Sequence, residues 1–326
     1  LGYGNGTFVE ASVLIPSRPI EDFTFLAALW DLDDDGDLDV FEINDVRDAA
    51  DLGSGAAPES FAEGNRLYEN QGPREGGGVT LVDVTEASGA SQKVPGMGGA
   101  FGDYDNDGRL DAYETSMTPE PNLLLHGEGG GVRFTERAAA MTAGTLTPEH
   151  DVAWGAVFLD ADADGFQDLY VVHGFHFSSS DPARENRMDQ SAVMMANEGG
   201  TSFRDVTVAA GLALPGIGRT PVVGDLNRDG FPELVGGLTD EAPGVFLNGC
   251  DDRPWLTVRV VGKAPNTSAI GAKIVARAGS AAQTRWIGAG SDGLFGSSAP
   301  EGYFGFPVGT LAVDVEIRWP ARAAQT

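Results

Sequence analysis

One nine-residue acidic motif occurs four times in the chain: DLDDDGDLD from Asp31, DYDNDGRLD from Asp103, DADADGFQD from Asp160 and DLNRDGFPE from Asp225. Successive copies start 72, 57 and 65 residues apart. Around each copy the same order of elements recurs: an apolar run ending at the first Asp, the motif, a second apolar run, an L-x-N-like segment and an F-x-x-x-T-like one. Short apolar runs separated by Gly, Asn and Asp at this period predict a repeated four-stranded antiparallel unit that buries its faces against its neighbours. The third unit shows it best, with strands expected over Trp154 to Leu159, Leu169 to His173, Ala192 to Asn197 and Phe203 to Val208.

The expected fold is therefore all-β, a β-propeller of four-stranded blades, with five blades favoured and up to seven possible. Residues 1–253 are assigned to the repeats and 254–326 to a C-terminal β segment without acidic motifs. Strands in that segment are expected over Trp255 to Val261, Ala272 to Ala278, Gln283 to Ile287 and Val313 to Trp319. They supply the last strand of the fourth unit and a fifth sheet, closing the ring with an N-terminal strand over Thr7 to Leu14, or they form a small separate sandwich.

Charge narrows the partners. Acidic residues outnumber basic ones 49 to 21, giving a net charge of -28, and no basic stripe exists to track a phosphate backbone, which excludes nucleic acid. Seventeen of the 49 carboxylates sit inside the four motifs. No apolar run reaches membrane-spanning length, and Cys250, the one cysteine, leaves no internal disulfide to form. The chain opens at Leu1 in text that reads as the end of a repeat, so removal of a leader is expected.

Within each motif oxygen donors fall at positions one, three, five and nine, Gly stands at six, and the residue at seven offers its carbonyl. The candidate ligand sets are Asp31, Asp33, Asp35, Asp37 and Asp39; Asp103, Asp105, Asp107, Arg109 and Asp111; Asp160, Asp162, Asp164, Phe166 and Asp168; and Asp225, Asn227, Asp229, Phe231 and Glu233. Oxygen-only, flexible coordination selects Ca²⁺ over Zn²⁺, which favours His or Cys, and over Mg²⁺, which keeps its waters. About four Ca²⁺ ions are expected. An EF-hand is the competing metal motif, since Glu42 and Glu114 fall at position twelve, but VFEI, AYET, LYVV and LVGG after the motifs are strand-like where helices are required. Open sites of this kind bind at roughly 10⁻⁴ to 10⁻³ M, which places the protein in a calcium-rich setting: secreted, periplasmic or cell surface.

The runs GAFGDYDNDGRLDAYET, AWGAVFLDADADGFQDLYVV and VVGDLNRDGFPELVGG resemble the FG-GAP or VCBS repeats, relatives of the integrin α-subunit propeller, over about residues 1–250. From Trp255 to Pro320, WLTVRVVG, NTSAIGAKI and VEIRWP look like the ASPIC/UnbV domain that follows such repeats. The resemblance implies calcium in the loops, a propeller and an extracytoplasmic adhesion or matrix role. Asn227 and Glu233 depart from the repeat pattern, so the fourth site is expected to be the weakest.

No Ser-His-Asp order, phosphate-cradling glycine loop or Cys-His pair is present, so the leading expectation is a non-enzymatic module that binds a protein or glycan through the long polar excursions Asp45 to Asn65 and Gly174 to Ser191. The alternative is a metalloenzyme or metal-handling protein. His150, His173 and His176 fall around the third unit on the side away from the acidic motifs, with Met97, Met117, Met141 and Met188 in connectors of that side, a set suited to copper, iron or zinc. His126 is placed in a hairpin on the calcium side and expected to be inert.

Overall fold

A computed structural model of the chain describes residues 10–11, 14–16, 24–45, 64–74, 78–117, 120–144, 152–174, 190–239, 241–249, 252–288 and 296–320. The first sheet contains β1 (Thr24–Trp30), β2 (Asp39–Asn44), β3 (Arg66–Pro73) and β4 (Val79–Asp83), followed by a four-residue helical turn, α1 (Thr85–Ser88). The second contains β5 (Gly96–Gly102), β6 (Asp111–Ser116), β7 (Leu123–Gly127) and β8 (Phe134–Glu136). The third contains β9 (Ala153–Leu159), β10 (Asp168–His173), β11 (Val193–Asn197) and β12 (Phe203–Asp205), and the fourth β13 (Gly218–Gly224), β14 (Glu233–Leu238) and β15 (Gly244–Phe246). In every sheet the strands pair in chain order and antiparallel, so each is a meander. The acidic motifs are the connections from first to second strand. Among the described residues no helix is long and apolar enough to cross a membrane.

Sequence pattern decides where each sheet packs. In β9 (AWGAVFL) and β10 (DLYVVH) the apolar run is nearly continuous and every residue is buried, because the third sheet is covered on both faces. β1 instead alternates buried and exposed positions, leaving Leu29 in solvent. The cores lie between successive sheets. Phe41, Ile43 and Leu67 of the first sheet meet Phe101, Leu123 and Phe134 of the second; Tyr113 and Leu124 meet Phe158, Leu169 and Met195; Val157, Tyr170 and Val172 meet Val223 and Leu234. Each fully buried side chain of this size contributes about 1.5–3 kcal/mol, well above an exposed ion pair such as Arg204–Glu198. The third and fourth sheets approach closely along their first strands: a Cβ on Gly155 would lie 2.6 Å from Pro221 of β13. The inner ends of all four first strands converge on one small cavity lined by Trp30, Phe101, Phe158 and Val223, beneath Arg285 and Tyr303.

The C-terminal segment forms a pair, β16 (Trp255–Val258) with β19 (Gly302–Gly305), and a three-stranded sheet of β17 (Lys273–Ala278), β18 (Ala281–Trp286) and β20 (Asp314–Arg318). They share their own core around Ile274, Ile287, Phe304 and Phe306. This corrects the expectation that Trp255 onward completes the fourth sheet: β16 pairs with β19, and the fourth sheet has three strands among the described residues. The third unit's last strand also stops early, at Asp205, whose carboxylate accepts the Thr207 N–H and turns the chain, leaving Val208 88 % exposed. The segment bridges the first and fourth sheets, with Gly288 against the Trp30 ring and the Ala299 N–H donating to the Val223 carbonyl. The expected strand Thr7 to Leu14 lies almost wholly outside the described residues.

One buried group makes stability depend on pH. Glu114 of β6, fully buried, accepts a 2.5 Å hydrogen bond from Asn65 Nδ2 on one oxygen and has no partner on the other. Burial raises its carboxyl from 4.5 to about 8. It is neutral in the fold and ionised in the unfolded chain between those values, so stability is full below pH 4.5 and falls as pH rises to 8. Glu114→Gln is expected to remove that slope. In denaturant unfolding the variant should gain on the order of 3 kcal/mol over the parent between pH 5 and pH 8.

Candidate metal centres

The four acidic connections share one backbone conformation. Position six is Gly36, Gly108, Gly165 or Gly230, each left-handed with φ between 84° and 96°. Position four is left-handed too, at Asp34, Asn106, Ala163 and Arg228, so the chain reverses twice within nine residues. The carboxylates hold that course. In the first connection the Gly36 N–H donates to Asp31 Oδ2, the Asp35 N–H to Asp33, the Asp37 N–H to Asp35 and the Leu32 N–H to Asp39. The same four bonds recur in the second and third connections. The second oxygen of the last Asp reaches the third strand, accepting N–H groups of Asn70, Gly127 and Asn197 at Asp39, Asp111 and Asp168.

This leaves one buried oxygen at position one unpartnered in three connections: Oδ1 of Asp31, Asp103 and Asp160. Around it stand carboxylates whose nearest oxygens lie within 4.8 Å of one another: Asp31, Asp33 and Asp35; Asp103, Asp105 and Asp111; Asp160, Asp162 and Asp164. Burial, reinforced by neighbouring carboxylates, pushes Asp31 up to about 6, Asp103 to about 8 and Asp160 to about 6. Burial likewise takes Asp39 to about 7 and Asp111 to about 6, and holds Asp168 well above its ordinary range. Carboxylates this crowded must either take up protons or be compensated by a cation. The carboxylate oxygens of these groups suit a hard divalent ion.

The fourth connection is different. Asp225 Oδ1 accepts the N–H groups of both Arg228 and Asp229, and Asn227 Nδ2 donates to Asp229 and Glu233, so its donors are spent on each other. The four recurring N–H bonds are nonetheless kept, donated by Leu226, Asp229, Gly230 and Phe231.

The C-terminal sheets lie over these connections, which local sequence pattern did not signal. Lys273 Nζ donates to both oxygens of Asp34 at 2.9 and 2.6 Å and to the Gly108 carbonyl at 2.8 Å, joining the first two. At the third, the Gly305 N–H donates to Asp160 Oδ2 and Arg253 approaches Asp162 at 3.5 Å. At the fourth, the Asp225 N–H donates to Tyr303 Oη, Thr257 donates to the Gly230 carbonyl, and Trp255 packs on Phe231. Arg285, buried near the second and third, offsets part of the burial-driven rise of Asp103 and Asp160. Neighbouring connections are also tied directly, as Asn106 Nδ2 donates to the Gly165 carbonyl.

His126, expected in a hairpin on the calcium side, lies there and faces the second connection. Its Nδ1 lies 3.2 Å from Asp111 and 3.5 Å from Asp105, and its Nε2 3.7 Å from Asp107. On the opposite end of the sheets, His173 closes β10 fully buried, and burial lowers its imidazole to about 4 while the Ser191 backbone opposes the shift. No metal-holding group among the described residues contains it, and His150 and His176 lie outside them. Met97 is a buried β5 residue rather than a connector one, and Met141, in the connector after β8, packs into the core between the second and third sheets. Met188 and most of the two polar excursions, 46–63 and 175–189, also fall outside the described residues.

The family model described as "ASPIC and UnbV" matches residues 262–326. That match takes in β17 to β20 and thus most of the layer that covers the acidic connections. No curated protein matches the chain.

Proposed function

We propose that the chain is an extracytoplasmic, calcium-stiffened β-propeller of FG-GAP or VCBS type, acting as a non-enzymatic module that binds a protein or glycan. The observation that carries the calcium assignment is the set of buried, unpartnered oxygens of Asp31, Asp103 and Asp160, each among carboxylates spaced for one ion. The convergence of four first strands on one cavity supports the radial arrangement of the sheets. Because the C-terminal layer lies over the acidic connections, the ions are structural, and ligand recognition falls to the other end, where the segments 46–63 and 175–189 leave β2 and β10. Affinities in the range of extracellular modules, roughly 10⁻⁴ to 10⁻³ M, agree with a calcium-rich compartment.

Equilibrium dialysis against calcium tests this. Three sites are expected to fill first and the fourth last, since Asp225 and Asn227 must break internal hydrogen bonds to bind. Asp160→Asn should remove one of the stronger sites. Equal filling of all four connections would contradict the ranking, and no uptake would contradict the assignment.

A further inference from the structure

The four acidic connections differ at one facing position. The residue just before the third-strand N–H that anchors the last Asp is Glu69 in the first, His126 in the second and Ala196 in the third. Burial raises the carboxyl of Asp33, with Asp35 and then Glu69 adding to the shift, and His126 contacts three carboxylates of its own connection. The third strand therefore supplies a further side chain to each site. Only in the second does that side chain carry nitrogen.

We propose that the second connection is a mixed nitrogen and oxygen site that prefers a divalent transition cation of the Zn²⁺ class over calcium, with His126 as its imidazole ligand. His126 is only 4 % exposed, and its ring belongs with Asp105 and Asp107 to a group whose donor atoms all lie within 4.8 Å. A second group, Asp103, Asp105 and Asp111, shares Asp105 with it, and Asp103 Oδ1 is buried without a partner. Tetrahedral Zn²⁺ with bonds of about 2.0 Å sets its ligands roughly 3.3 Å apart. His126 Nε2 lies 3.7 Å from Asp107, close to that spacing, and Nδ1, the other ring nitrogen, is held 3.2 Å from Asp111. Calcium gains little from an imidazole, whereas zinc favours one, so a single histidine suffices to reverse the preference at this site alone. Tyr104, whose hydroxyl stands 3.5 Å from His126 Nδ1, helps orient the ring.

This inference rests on the acidic connections being cation sites, and the test separates the two claims. The full chain saturated with Ca²⁺ is titrated with Zn²⁺ by calorimetry. One equivalent should bind without displacement by millimolar calcium. His126→Gln should weaken that binding at least tenfold while leaving calcium uptake at the first and third connections unchanged. Ala196→His supplies a gain-of-function arm, because Ala196 lines a cavity of about 350 Å³ together with Asp162 and Asp168. A second strong Zn²⁺ equivalent in that variant supports the proposal even if His126→Gln does not fold; wild-type stoichiometry overturns it. Zinc uptake identical in parent and His126→Gln, or calcium binding with no retained zinc, also overturns it and leaves the calcium assignment standing. A chain that takes up neither ion defeats both.

Discussion

Stripping calcium from the purified chain with a chelator is expected to lower its unfolding midpoint by roughly 5–10 °C. An ion held at tenfold excess over its dissociation constant stabilises the fold by about 1.4 kcal/mol, so three such sites contribute roughly 4 kcal/mol. The structural reason is the dry crowding of Asp31, Asp103 and Asp160, whose carboxyls are raised to about 6, 8 and 6 in the absence of a compensating charge. Without the ion these groups must take up protons or repel one another. Differential scanning fluorimetry with and without chelator measures the loss, and readdition of calcium should restore the midpoint where magnesium does not. An unchanged midpoint would mean that the internal N–H bonds to the carboxylates hold the connections unaided.

Gly305→Ala is expected to detach the C-terminal layer from the third connection. A Cβ at this position would lie 2.3 Å from the Ala163 backbone, a distance no rotamer can relieve. The same displacement would break the Gly305 N–H bond to Asp160 and move Gln283, whose amide donates to the Gly305 carbonyl. Overlap with the Ala163 backbone and loss of the buried bond to Asp160 should together cost about 3 kcal/mol. Limited proteolysis should release residues beyond about 254 as a separate fragment from the variant and not from the parent. Parent-like resistance and melting would show that the layer contributes little to the fold.

The repeated strands and acidic connections were legible because each rests on local chemistry. Alternating or continuous apolar runs report which faces of a strand are covered, and Gly at position six reports a left-handed turn. Position four, equally left-handed, gave no such signal, since Ala163 and Arg228 stand there beside Asp34 and Asn106. What escaped were pairings between distant segments. Lys273 and Asp34 are 239 residues apart, and nothing near either one announces the other. The strand Gly302–Gly305 reads as a turn by composition; it is a strand because Trp255–Val258 supplies its partner. His126 was placed on the calcium side, but its approach to the carboxylates was not foreseen, because it depends on the register between β6 and β7. Glu114, which falls at position twelve, lies within β6 bonded to Asn65, in keeping with the strand-like exit that argued against an EF-hand.

The most direct measurement is anomalous diffraction from crystals grown with calcium. The account predicts strong peaks beside Oδ1 of Asp31, Asp103 and Asp160, a weaker one near Asp225, and sheets arranged radially around the cavity beneath Arg285. Water-like density with no anomalous signal at all four connections would contradict it.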